Sequence, residues 1–129
     1  MEPGDTFTEI FEVTDKIYNG FIGIFQDKNL MHTNEKHAQG YGFKGKVMHG
    51  NILNGFLSYF IGECLPEKNV IIHTQEIQYK NPVYLNDRLF FEAHVTGIFE
   101  SVNAIEFKYL FKNEASKVVA KGKFQIGLL

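Results

Sequence analysis

Apolar positions follow a helical period through most of the chain up to Pro66 and a period of two beyond it. Residues 6–13, TFTEIFEV, stand apart in the first half: their β-rich content predicts a first strand, though the alternation is imperfect. Thr14 has the character of an N-cap, and Asp15 falls in the first turn, where a carboxylate complements the helix dipole. Ile17, Phe21, Ile24 and Phe25 then recur at helical spacing and predict an amphipathic helix over residues 15–26. Gly20 and Gly23 weaken that helix, so it depends on tertiary packing. Asn29 to Met31 predicts a turn, and Thr33 a cap for a short helical turn closed by Gly40. From Asn51 onward, Ile52, Leu53, Phe56, Leu57, Phe60, Ile61 and Cys64 form one wide apolar stripe that Pro66 ends. A helix this apolar must be largely enclosed, and Gly55 and Gly62 would let a sheet approach its backbone.

Four strands are predicted after the long helix. Residues 69–79 form the first, and KNPVYLND is a bend, because Pro82 is confined to a strand edge or turn. Residues 88–99 place Phe91, Ala93 and Val95 on one face. Residues 102–112 place Ile105, Phe107, Tyr109 and Phe111 on one face, opposite Glu106 and Lys108. Residues 117–127 place Val118, Ala120, Phe124 and Ile126 opposite Lys117, Lys121 and Lys123, and NEASK between the last two strands suits a hairpin turn. Such alternation means an antiparallel sheet with one face on a core. A sheet wrapped around one buried helix is an α+β architecture.

The length, 129 residues, fits one domain over residues 1–129. Thirteen Phe and six Tyr, with no Trp, make the core or a pocket Phe-rich. A net charge of −2 gives no bulk attraction to nucleic acid or to an acidic membrane surface. A lone cysteine, Cys64, excludes an internal disulfide. With no signal-peptide pattern in MEPGDTF and no long apolar run, a cytoplasmic protein is expected.

Two polar islands interrupt the apolar pattern: FQDKNLMH, with Asp27, Asn29 and His32, and FKGKVMHGN, with His49 and Gly50 at the mouth of the long helix. Asp27 ends the first helix, where a carboxylate opposes the dipole, and such local conflicts point to function. The glycine-rich GYGFKGKVMHG lacks the Gly-Lys-Ser/Thr ending of a phosphate-binding loop. His37, His73 and His94 have no partner at useful spacing, and the histidines show no zinc-ligand spacing, so no metal site is expected. Cys64 lies on the apolar stripe, which makes it a packing residue.

Asp27-Lys28-Asn29-Leu30-Met31-His32 resembles the Asp-x-Asn-Pro-x-His motif of the MaoC-like, (R)-specific enoyl-CoA hydratases. His49-Gly50 matches that family's His-Gly pair, Ser58 its helix serine, and Tyr79 to Asp87 its aromatic-x-x-Pro-Val-x-x-Gly-Asp segment. Leu30 replaces the motif proline, Gln26 stands where Gly or Glu usually precedes the Asp, and Asn86 replaces a turn glycine. The resemblance implies a hot-dog fold, a curved antiparallel sheet wrapped around one long central helix, and a homodimer built by joining sheets. It also implies hydration of a trans-2-enoyl thioester on coenzyme A or acyl-carrier protein, with no cofactor. Asp27 would orient or deprotonate water with His32 as its acid/base partner; Asn29 would hold either the turn or the water. The Gly50 N–H would hold the thioester oxygen, His49 would contact substrate or fix the loop, and Ser58 would reach the pocket or bond back to its own helix. Gly42, Phe43 and Met48 are candidate pocket walls. A hot-dog thioesterase or a carrier-protein dehydratase is the competing enzyme, but no carboxylate occurs among Asn51, Ile52, Leu53 and Asn54, where those relatives commonly carry one. A non-catalytic acyl-thioester-binding module is the third reading.

Overall fold

A computed structural model describes residues 1–129. Strand β1 (Thr6–Glu12) leads into helix α1 (Asp15–Phe25), two short helices, α2 (Leu30–Thr33) and α3 (Glu35–Gly40), and the central helix α4 (Gly50–Tyr59). The central helix runs on through a π-helical turn, Phe60–Cys64. Strands β2 (Val70–Tyr79), β3 (Arg88–Phe99), β4 (Ala104–Lys112) and β5 (Val118–Leu128) complete the chain. They pair with β1 in one antiparallel sheet of order β1-β3-β4-β5-β2. This is the hot-dog arrangement that the resemblance implied.

The alternation seen in the sequence sets the register. Val95 lies opposite Phe107, and Phe107 opposite Phe124, so one row of inward side chains crosses three strands. Phe107 and Phe124 stack with ring centroids 4.6 Å apart. Phe60 reaches down from the end of the helix to within 4.7 Å of the Phe91 ring. Each fully buried Phe of this kind contributes roughly 2–3 kcal/mol by transfer from water. Gly122 is required where β5 meets β2: an added Cβ would sit 2.0 Å from the Glu76 carbonyl oxygen. The Tyr109 hydroxyl donates to that same carbonyl at 2.6 Å.

Several local expectations shift. The short α3 is capped by Asn34, whose Oδ1 accepts from the His37 N–H at 2.9 Å. The expected cap, Thr33, instead closes α2, and its hydroxyl reaches the Asn29 carbonyl at 3.1 Å. The turn at Asn29–Met31 is tightened into the first turn of α2. Gly55 and Gly62 do not admit the sheet, since a Cβ on either would meet open space. Asn86 adopts φ 70°, the left-handed conformation that Asn tolerates in place of glycine.

Candidate active site

The first island is built by a left-handed residue. Gln26 ends α1 at φ 62°, and its N–H donates to the Ile22 carbonyl at 2.9 Å. That conformation favours glycine, and the Gln26 side chain partly offsets it by donating from Nε2 to the Gly23 carbonyl at 2.9 Å. The chain leaves the helix axis there and presents Asp27. Asp27 Oδ1 accepts from the Asn29 N–H at 3.2 Å, and Asn29 Oδ1 accepts from the Met31 N–H at 2.9 Å. Asn29 is therefore the cap of α2 and holds the turn.

Helix α2 carries His32 to the second island. The Val47 N–H donates to the Met31 carbonyl at 3.0 Å, and the Val47 carbonyl lies 2.6 Å from His32 Nδ1. A carbonyl only accepts, so Nδ1 bears the proton and Nε2 of neutral His32 keeps its lone pair. His49 works in the opposite direction: its Nε2 lies 2.9 Å from the Asp27 carbonyl, to which it donates. His49 is 3% exposed, and its Nδ1 has no partner. Its ring sits 4.0 Å from the His32 ring and 4.6 Å from that of Phe21. The Nε2 bond fixes the loop that carries Asp27, and the ring also lines the smaller of the two cavities that flank the start of α4.

Asp27, His32 and His49 each offer a polar atom within 4.8 Å of the others. These are ligand types a cation accepts, assembled from positions whose sequence spacing carries no metal signature. The two imidazoles lie at 31° to one another, nearly face to face, so their in-plane lone pairs do not meet at one ion without ring rotation. A backbone carbonyl also occupies one nitrogen of each ring. The arrangement suits proton transfer better than coordination.

The mouth of α4 completes the site. His49 is its N-cap and makes no side-chain cap bond, so the first N–H groups of the helix are open to an acceptor. A Cβ at Gly50 would lie 2.8 Å from the Tyr79 ring. A side chain at position 50 would therefore have to displace the Tyr79 ring. The Tyr79 hydroxyl accepts from Asn54 Nδ2 at 3.3 Å, and burial pushes its pKa upward. Two cavities flank the start of α4, with Ile52 lining both. One, of about 430 Å³, is lined by His32, Gly50, Tyr79 and two of the expected walls, Phe43 and Met48. The other, of about 950 Å³, is apolar and is lined by Ile17, Phe21, Phe25, Phe56 and Tyr59, with Asp27 at its edge. Gly42 lines neither cavity, and Ser58 is exposed on α4 outside both.

The MaoC like domain matches residues 3–117. The chain belongs to this family. MaoC-like domains are hydratases and dehydratases, and two relatives show the range. An (R)-specific enoyl-CoA hydratase of Rhodospirillum rubrum is 33% identical over 103 residues, 80% of this chain and 71% of its own. A mitochondrial 3-hydroxyacyl-[acyl-carrier-protein] dehydratase of Arabidopsis thaliana is 21% identical over 95% of this chain and 75% of its own. In fold, the domain is similar to the (R)-hydratase of A. caviae, with TM-score 0.91 at 22% identity, covering 100% of this chain and 98% of that one.

Sequence reasoning passed over Tyr18, Val47 and Asn54. Tyr18 is buried, and its hydroxyl donates to the His32 carbonyl at 2.5 Å. Its position one residue from the Ile17 stripe of α1 was the available signal, because a buried phenol needs an acceptor. Val47 acts through its backbone and leaves no trace in side-chain pattern. The remaining histidines behave as expected: His73 and His94 are exposed on the sheet and His37 half-buried beside Tyr41. Cys64 is partly exposed, packs against the core and has its thiol pushed up to about 11 by burial and by Glu9. No helix is long and apolar enough to cross a membrane.

Proposed function

We propose that this MaoC-like domain is an (R)-specific enoyl-CoA hydratase, or 3-hydroxyacyl-thioester dehydratase, in which Asp27 and His32 act on one water. The observation that carries this reading is the pairing of an exposed carboxylate with an imidazole whose Nδ1 is tied to the Val47 carbonyl. Neutral His32 then offers Nε2 to water, and the imidazolium that forms keeps its Nδ1–H bond to Val47. Asp27 orients the same water and balances the developing positive charge. The water oxygen bonds to the β-carbon, and the proton held by the pair passes to the α-carbon. One water adds, with no net change in protons. Charge gathering on the thioester oxygen is met by the Gly50 N–H and its neighbours at the start of α4.

The first turn of α4 holds no acidic residue, which favours water addition over thioester hydrolysis. The large apolar cavity suits an acyl chain, and relatives of both kinds leave coenzyme A and acyl-carrier protein as alternative thiol carriers. A homodimer joined through the free edge of β2 belongs to this reading. Ile71 and Tyr79 on that strand are each 51% exposed, and the α4 face bearing Gly55 and Ser58 is open, so a second copy would cover both. Sedimentation velocity tests this part, and a monomer at micromolar concentration would refute it.

The central test follows loss of enoyl absorbance with crotonyl-CoA. Asp27→Ala and His32→Ala should each lower turnover by roughly 10²–10⁴ while the far-ultraviolet circular dichroism stays unchanged. Release of free thiol instead of hydration would sink the proposal, as would full activity in either variant.

A further inference from the structure

We infer that Tyr18 is a positioning residue for His32, through a tether that acts on the backbone of α2. The inference rests on the role proposed above for His32. Helix α2 is four residues long, too short to persist on its own. Its front end is fixed by the Asn29 cap. Its rear end is fixed from outside: the Tyr18 hydroxyl donates to the carbonyl of His32 itself at 2.5 Å. Tyr18 is a firm anchor. It is 6% exposed, its own N–H donates to the Thr14 carbonyl at 3.0 Å in the first turn of α1, and its ring packs 6.0 Å from that of His49. The tether and the His32 Nδ1 bond to Val47 together fix both the backbone and the ring of His32.

Inside α2 the Thr33 hydroxyl braces the turn by bonding back to the Lys28 and Asn29 carbonyls, but nothing there holds the His32 carbonyl. Leu30 opens the helix, is 52% exposed, and its N–H makes no hydrogen bond within the protein. The preceding Asn29 has φ −51° and ψ 137°. Those are the conditions under which a first helical position accepts proline: no donor is lost, and the residue before it is already extended. The turn can therefore be stiffened from within by proline at position 30, or from outside by the Tyr18 hydroxyl. If both act on the same freedom of His32, one should replace the other. A buried tyrosine that merely finds an acceptor has no such relation to position 30.

The test compares the full chain with Tyr18→Phe, Leu30→Pro and the double variant. It reads kcat and KM on crotonyl-CoA, together with hydrogen exchange at the His32 and Asn34 amides. These amides donate to the Asn29 and Leu30 carbonyls and so report on α2. Tyr18→Phe keeps the ring and removes only the tether. It should lower kcat roughly tenfold with KM nearly unchanged, and speed exchange at both amides. Leu30→Pro alone should change little, and the double variant should regain most of the lost kcat and protection. Ile126→Val, which loosens the sheet core and lines neither cavity, should lower the melting temperature while leaving kcat unchanged, and it serves as the control if the proline variants do not fold. The tether is overturned if Tyr18→Phe leaves kcat and exchange as they were, if its losses are matched by Ile126→Val, or if proline shifts both backgrounds by the same factor. Should the unaltered protein not hydrate crotonyl-CoA, the hydratase reading fails on its own. Exchange then decides the tether: faster in Tyr18→Phe and reversed by Leu30→Pro upholds it, and no change refutes it.

Discussion

In the sheet, Phe107 has Val95 opposite it on one side and Phe124 on the other, and the same pattern recurs along every central strand. Around Asp27, His32 and His49 the chain is held instead by a few directed bonds: Tyr18 to the His32 carbonyl, Val47 to Met31 and His32, His49 to the Asp27 carbonyl. The sheet is stabilised by redundant apolar area, so a local change costs stability and leaves geometry intact. The site is held by directed bonds, so a local change costs geometry and little stability.

This contrast can be broken at several points. Phe107→Ala should destabilise the protein by about 3–5 kcal/mol, read from urea denaturation, because a fully buried ring leaves a cavity. Its turnover per folded molecule should stay near that of the parent; a selective loss of turnover would mean that sheet and site are not separable. His49→Phe keeps an aromatic ring beside Phe21 but frees the Asp27 carbonyl. Turnover should drop roughly tenfold with the melting temperature hardly moved, because the buried, unpartnered Nδ1 disappears as well. A large loss of stability there would show that the site also serves as scaffold. Gln26→Gly should raise stability by about 0.5 kcal/mol, as glycine accepts φ 62° without a Cβ penalty and only an exposed side-chain bond is lost. The smallest effect concerns Cys64. Burial raises its pKa from 9.0 to about 11, so the protonated, unreactive thiol persists at neutral pH. Alkylation by iodoacetamide should be slow near pH 8 and accelerate as pH climbs from 9 toward 11; fast labelling at neutral pH would contradict this environment.

Legibility in the sequence followed the same division. Strands β3, β4 and β5 were readable because inward and outward side chains largely alternate, and their ends fell within two residues; the expected face failed at Val118, because an irregularity in the β4–β5 pairing buries Val119 beside Ala120 instead. Strand β2 was placed at nearly the right residues, yet its exposure was not foreseen, because edge position is a property of the assembled sheet. Asp27, His32 and His49 could be singled out as chemistry-bearing types in a recognisable pattern. That His49 donates to the Asp27 carbonyl, and that Asn29 caps α2, could not, since both depend on where backbone groups point after folding. Ser58 shows the remaining gap: its place in the motif is clear, yet it is exposed and lies outside both cavities.

By itself, the sequence determined the order of the main elements, most of the buried face of β3, β4 and β5, and the residue types able to move a proton. Periodicity and side-chain chemistry are local properties, and they survive in a linear string. Only the tertiary structure decided which nitrogen of each histidine carries the proton, which glycine faces a tyrosine and which faces open space, and that Tyr18 reaches across fourteen residues to hold His32. Those outcomes depend on distances of a few ångströms between segments remote in the chain, and such distances exist only after the sheet has closed around its helix.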